Sequence, residues 1–497
     1  MNCLSMLVAG LLAAAAAPAT PPPAAPAAPK EITVTSKSPQ AVEAFKKGRD
    51  LYENGHFNES PAEFKKALEL DPDFALAHAL NGMVLTGAEG LKEIERGAAK
   101  LAGLPEAEAL LVQVYLATKQ GDSAKALAMA RKLTASVSSD WRAHYVLAET
   151  AFTAGRWDDV IAASRKATEL NPKAGPALLD LGIAYMFTRQ LEQAVETFKK
   201  YIELAPGEGS GHDALGEALM MSGKLEEAEA SIKKATELLP KPYNSWAGLS
   251  QIRALRGDWK GAYEAIAKAK ETAILPDDKT DLMDRLANTL NAEGKTAEAL
   301  KALAQMEKES KDLGSVYGGV NAILDRAWIH LDAGKNKEAL AAVNEALARI
   351  GKDPFSPWGV LNVQSTGFAY RAALEARMGK KDDAQKTLAL VDEVAKKAPD
   401  NVWYRSAFHW ASGQIALASG DAKAAAAEFA QCVEDDFYCR YNQMQALTKA
   451  GDKAGADAVK EKLLKVPVRG FSYLYVRAKL GGIPKAPPAA KEAPKKK

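Results

Sequence analysis

The sequence predicts an all-α protein built from repeated helix–turn–helix units. Three observations carry that prediction. Pro172, Pro206 and Pro240 close successive blocks, each 34 residues from the next. Each block holds two apolar helical stretches joined by a short turn, of the N-G-H-F or S-G-K-L kind. Hydrophobic residues make up 47% of the chain but aromatics only 7%. An alanine-rich apolar fraction of that kind favours closely packed helices over strands. One two-helix unit cannot bury its apolar stripe alone, so neighbours must stack into a continuous core. The 497 residues exceed a single compact domain and carry too much apolar material for a disordered chain. A net charge of +2 supplies no strong field for nucleic acid or an anionic surface.

The elements follow in chain order. Residues 4–17 form a short apolar run, LSMLVAGLLAAAAA, with Ala17-Pro18-Ala19 behind it. The run is too short to span a bilayer and suits a signal-peptide core with an A-x-A-like cleavage site. Residues 1–19 are therefore expected to be a signal peptide, although no Lys or Arg precedes Lys30. The expected localisation is exported, periplasmic or extracellular; the alternative is an alanine-rich leader on a cytoplasmic protein. Residues 20–38 read as a Pro/Ala-rich linker, because proline fixes φ and removes donors. Residues 39–276 hold the regular repeats and 277–465 a second, irregular array. There the turn glycines Gly294, Gly334, Gly379, Gly420 and Gly451 are spaced by 40, 45, 41 and 31. Residues 466–480 are expected to form a capping helix, and 481–497 a disordered Pro/Ala/Lys-rich tail. Two inserts, near 308–319 and 350–367, read either as special contact elements or as joints between sub-arrays.

Within the regular blocks, Gly48, Gly182 and Gly216 are small residues in the first helix, and Gly55, Gly155 and Gly223 stand at the turn. Ala194 and Ala228 stand early in the second helix, and Ala67, Ala167 and Ala235 near its end. Phe64 and Phe198 fill the gap between helices, and Arg189 takes the place of one turn glycine. This pattern resembles the tetratricopeptide repeat, over roughly residues 39–465 and about twelve units. The resemblance implies a right-handed superhelical solenoid whose concave face takes a peptide or partner helix. On that face it places Arg142, Tyr145, Glu149, Phe152, Leu179, Ile183, Met186, Asp213, Glu217 and Met220. The variant that clamps a chaperone's terminal carboxylate uses Lys and Asn, where this chain has Phe45, Arg49, Ala79 and Met83.

Catalytic signatures are missing. No G-x-x-x-x-G-K-[ST], H-E-x-x-H, G-x-S-x-G or C-x-x-C occurs. His78, His144, His212 and His409 recur at equivalent places, but stacked units lie about 10 Å apart, too far for imidazoles to share an ion. They are expected to pack, with no metal and no cofactor. Asp277, Asp278 and the Glu434–Asp436 run are expected on solvated loops and helix ends. Cys432 and Cys439 are the pair outside the leader. An exported chain would join them in a disulfide; the alternative is two packed thiols. The function expected is a non-enzymatic interaction scaffold for a protein or peptide, in cell-envelope assembly or secretion, with no nucleic acid and no membrane span. A structural spacer acting through its termini, or an enzyme sited at 308–367, is the alternative.

Overall fold

The computed structural model describes residues 31–54, 59–85, 87–399, 401–465 and 471–484. The expected signal peptide, the linker before residue 31, Gly55, His56 and the tail from residue 485 lie outside the described residues. Among the described residues there are 25 helices and no strand. None of these helices is long and apolar enough to cross a membrane. They run α1 (Pro39–Glu53), α2 (Ser60–Leu70), α3 (Ala75–Val84), α4 (Gly87–Ala98), α5 (Glu106–Lys119), α6 (Ser123–Ser136), α7 (Trp141–Thr153) and α8 (Trp157–Leu170). Next come α9 (Gly175–Phe187), α10 (Leu191–Leu204), α11 (Gly209–Met221), α12 (Leu225–Leu238), α13 (Tyr243–Leu255), α14 (Trp259–Thr272), α15 (Pro276–Glu293) and α16 (Thr296–Leu313). The remainder are α17 (Val316–Asp332), α18 (Asn336–Ala348), α19 (Pro357–Arg377), α20 (Lys381–Lys397), α21 (Val402–Ala418), α22 (Ala422–Phe429), α23 (Phe437–Lys449), α24 (Lys453–Lys465) and α25 (Phe471–Lys479). Consecutive helices pack in pairs, such as α1 on α2, α7 on α8 and α11 on α12, which is the arrangement of a helical repeat solenoid.

Local chemistry explains the pairs. Asp122, Asp140, Asp258 and Asp421 precede α6, α7, α14 and α22, and each side chain accepts a backbone N–H of the first turn. Helices α8, α10 and α12 end two residues before Pro172, Pro206 and Pro240, because proline cannot continue the ladder. The turn at Gly155 has φ +67°. At the matching turn Arg189 adopts φ +60°, the one non-glycine with positive φ among the described residues. Its guanidinium reaches Asp435 at 2.6 Å. Phe64 and Phe198 are fully buried, as are Ala67, Ala167 and Ala235. A Cβ on Gly48 would stand 2.8 Å from the Phe64 ring, so the small residue is what admits the aromatic.

The chain divides into two compact units, one running to Ala177 and one from Leu178 onward. The division falls inside the regular repeats and not at the expected change of repeat length near residue 276. In unit 1 the reason is visible. Arg142 on α7 pairs with Glu53 on α1 at 2.7 Å, and Tyr52 donates to Glu149 at 3.2 Å. An extended segment, residues 31–37, crosses the same unit. Ile32 N donates to Asp140, Thr35 N to Glu108 and Lys37 N to Asp71. Ile32 and Val34 pack on the unit's core. The first four repeats thus close upon themselves.

In unit 2, α25 forms within the expected capping segment, and it packs on α13, α15 and α23. Tyr475 stacks edge-on against Trp328 at 4.7 Å and donates to Asp332. Cys432 and Cys439 are joined by a disulfide between the end of α22 and the first turn of α23. Closing so short a loop stabilises by about 2–3 kcal/mol in the chain-entropy account. A Cys432→Ala/Cys439→Ala variant is expected to lose that amount. Its urea midpoint should match reduced wild type and ignore added reductant.

Candidate binding site

The irregular array is irregular because its first helices are longer. Helices α7, α9, α11 and α13 have 13 residues each, whereas α15 has 18, α17 has 17, α19 has 21 and α21 has 17. The extra turns carry side chains onto one face. On α15 that face presents Asp277, Asp284 and Asn288; on α17 it presents Tyr317, Asn321, Leu324, Asp325 and Trp328. Intervals of four and seven keep such residues on one side of a 3.6-residue helix. Helix α19 adds Trp358, Asn362 and Tyr370, α21 adds Trp403, Tyr404 and Trp410, and Tyr438 on α23 completes the ring with the capping Asp436. Together they enclose a cleft of about 760 Å³ within unit 2.

Its floor is aromatic. Tyr370 meets Trp410 edge-on at 5.5 Å, and Trp328 meets Tyr438 edge-on at 5.4 Å, the arrangement that ring quadrupoles favour. Its rim is Tyr317 beside Trp358, with centroids 6.4 Å apart, and Trp403. Trp358 is 61% exposed and Trp403 52%. Hydrogen bonds fix several walls. Tyr404 donates to Asn362 at 2.6 Å, Tyr438 to Asp332 at 2.9 Å, and Tyr317 shares a bond with Ser356 at 2.7 Å.

Among the described residues, four carboxylates line the cleft and no Lys, Arg or His does. Asp277 accepts from Ser315 at 2.7 Å, and Asp436 accepts from Ser406 and from the Cys439 N–H. Both were expected on solvated loops and helix ends. They stand at helix N-termini as expected, but those termini open into the cleft. Asp284 and Asp325 hydrogen-bond to each other, and Asn288 donates to Asp284 at 2.9 Å. Burial pushes Asp284 well above the usual carboxylate range, and the charge of Asp325 pushes it further. Burial raises Asp325 as well, against hydrogen bonds from Asp284 and Asn288. Burial also raises the Tyr370 hydroxyl, with the charges of Asp325 and Asp436 adding to it.

The residues expected on the inner face divide between the units. In unit 1, Arg142 and Glu149 are engaged by Glu53 and Tyr52 of α1, and Tyr145 lines a cavity of only about 30 Å³ with Arg142, Glu53 and Tyr52. Phe152 packs edge-on against Trp157 at 5.2 Å. In unit 2, Met186 and Met220 are buried, while Leu179, Ile183, Asp213 and Glu217 are half-buried on α9 and α11. His78 is buried between Glu93 and the Pro72 carbonyl, and His409 bonds Glu428.

Comparison with known proteins agrees with this architecture. One tetratricopeptide-repeat family model matches residues 151–218, and a second matches 111–174 and 285–357. No curated protein matches the chain. Among solved structures, a tetratricopeptide repeat protein from Parabacteroides merdae is 18% identical with TM-score 0.35, covering 50% of this chain and 99% of its own. MamA from Desulfovibrio magneticus, from residue 41 to its end, is 19% identical with TM-score 0.32, covering 34% of this chain and 94% of its own. PilF of Pseudomonas aeruginosa is 17% identical with TM-score 0.31, covering 47% and 91%. Over residues 111–218 and 285–357, this all-helical chain is thus similar to the tetratricopeptide repeat.

Proposed function

We propose that the protein is a non-catalytic scaffold that holds a segment of a partner protein, and that the cleft of unit 2 is its main seat. One observation carries this reading. Consecutive first helices direct one face each into a single aromatic-walled cavity of about 760 Å³, a volume within the range of ordinary ligand sites. The half-buried Leu179, Ile183, Asp213 and Glu217 on α9 and α11 are the proposed contacts of the regular repeats. The inner face of unit 1 is the weaker seat, because Arg142 and Glu149 already bond within the chain.

The proposal includes an exported protein serving cell-envelope assembly or secretion. The Cys432–Cys439 disulfide supports that setting, since such bonds persist in oxidising compartments.

Crosslinking of the full-length, carboxyl-tagged protein in its native host tests the reading. A Trp358→Ala/Trp403→Ala variant is expected to lose at least one partner that wild type retains. Both side chains are more than half exposed, so the helices should fold without them. Unchanged capture would remove the cleft from the proposal. Loss only on trimming residues 481–497 would favour a spacer acting through its termini. A bound ligand converted chemically would favour an enzyme at the 308–367 inserts.

A further inference from the structure

The cleft's lining identifies the chemistry of its occupant. We propose that it takes an organic cation, the guanidinium or ammonium of an arginine or lysine side chain on the partner segment, against Asp284, Asp325 and the surrounding ring faces. The inference rests on the scaffold reading above and names what that scaffold recognises.

The charge balance is the first argument. Among the described residues, four carboxylates line the cavity with no lining cation. Two neighbouring arginines are bonded within the chain: Arg285 donates to Asp281 at 2.6 Å and its charge also acts on Asp284, and Arg440 donates to the Ala430 carbonyl at 3.0 Å and its charge also acts on Asp436. Asp277 is held by the Ser315 hydroxyl at the start of α17, and Asp436 by the Cys439 N–H of its own helix start. Within the Asp284–Asp325 pair one carboxyl hydrogen-bonds the other, and the neutral Asn288 amide bonds to both. A buried carboxylate without a cation is costly, and an entering cation relieves that cost.

The walls are the second argument. Tyr370, Trp410 and Tyr438 line the same cavity as the pair, and a cation over such faces gains from the ring quadrupoles, most of all when both are out of water. The third argument is independent of charge. Trp410 is 5% exposed, and its indole N–H has no hydrogen-bond partner. Buried donors in folded proteins are normally satisfied. A peptide carries a cationic side chain for the carboxylates and backbone carbonyls of the kind the indole N–H lacks. A neutral sugar would stack on the same rings but would leave the carboxylates uncompensated.

Quenching of tryptophan fluorescence in the full-length protein provides the test. The probes are the peptides Ac-Ala-Arg-Ala-NH2 and Ac-Ala-Lys-Ala-NH2, the citrulline analogue of the first, and the trisaccharide chitotriose. A cationic peptide is expected to bind about tenfold or more tighter than its citrulline analogue, as a desolvated charge and ring contact would give. Asp325→Asn is expected to erase that preference while leaving citrulline-peptide binding within about twofold. Trp358→Ala, on the exposed rim, is expected to weaken all the peptides alike and so reports on access apart from charge. Equal binding of the arginine and citrulline peptides would overturn the inference, as would binding of chitotriose alone or of no probe. If partner capture still depends on Trp358 and Trp403 in those cases, the scaffold reading survives and only the cationic occupant is lost.

Discussion

Phe198→Ala is expected to lower the stability of unit 2 by about 3–5 kcal/mol, the range for removing a fully buried phenylalanine. The ring is 0% exposed and lies against Gly182 of the preceding helix. A Cβ on Gly182 would stand 2.7 Å from Phe198 Cζ and nearer still to Cε1. Gly182→Ala is therefore expected to cost about 1–3 kcal/mol, because a packed ring must be displaced. The pair also provides an internal check. With the ring removed, alanine at 182 meets empty space, so the double variant should be clearly more stable than the two single losses added. Urea midpoints followed by far-UV circular dichroism measure all three. Strict additivity would mean that glycine and ring do not share the space.

Glu149→Gln is expected to stabilise unit 1 at pH 8.5 and to change little at pH 5. The Glu149 carboxyl is pushed up to about 7, chiefly by burial, with the charge of Glu53 adding to it and the Tyr52 hydroxyl opposing it. A carboxyl whose folded-state pKa lies above its unfolded value holds its proton more tightly when folded. Its contribution is intact below about pH 4.5 and is lost as pH rises through about 7. Fully ionised, it costs on the order of 3–4 kcal/mol at about 1.36 kcal/mol per unit. Glutamine keeps an acceptor for Tyr52 and removes the charge. The variant should therefore gain about that amount over wild type at pH 8.5, and the two stability curves should converge near pH 5. Parallel curves at all pH values would show that Glu149 is solvated.

The regular repeats were legible in the sequence because their signals are local. Prolines stop helices, glycines turn them, and the position of Arg189 at a turn was readable from its neighbours before its φ was known. The cleft was not legible, because its residues come from units with no fixed period. Asp284 and Asp325 lie 41 residues apart, and Tyr370 and Trp410 lie 40 apart. Those intervals match the spacing of the turn glycines in the same array. Aligning units by that spacing, not by 34, was the signal that would have brought acids and rings to one depth. Instead the 308–367 region read equally well as a joint, and its lengthened helices were hidden inside that reading. On α7 the limit was different. Helical phase assigned Arg142 and Glu149 to one face, but nothing local revealed that α1, some ninety residues earlier, would meet them there.

The extended segment at residues 31–37 alters how unit 1 comes apart. In an ordinary repeat array each unit contacts only its neighbours, so an end can fray while the middle stays folded. Here the segment donates in turn to Asp140 at the start of α7, Glu108 on α5 and Asp71 at the end of α2, which belong to three different repeats. Losing any one of those repeats strands backbone donors that the others have helped to position. Helices α1 to α8 are thereby bound into a single cooperative block whose weakest part cannot open alone.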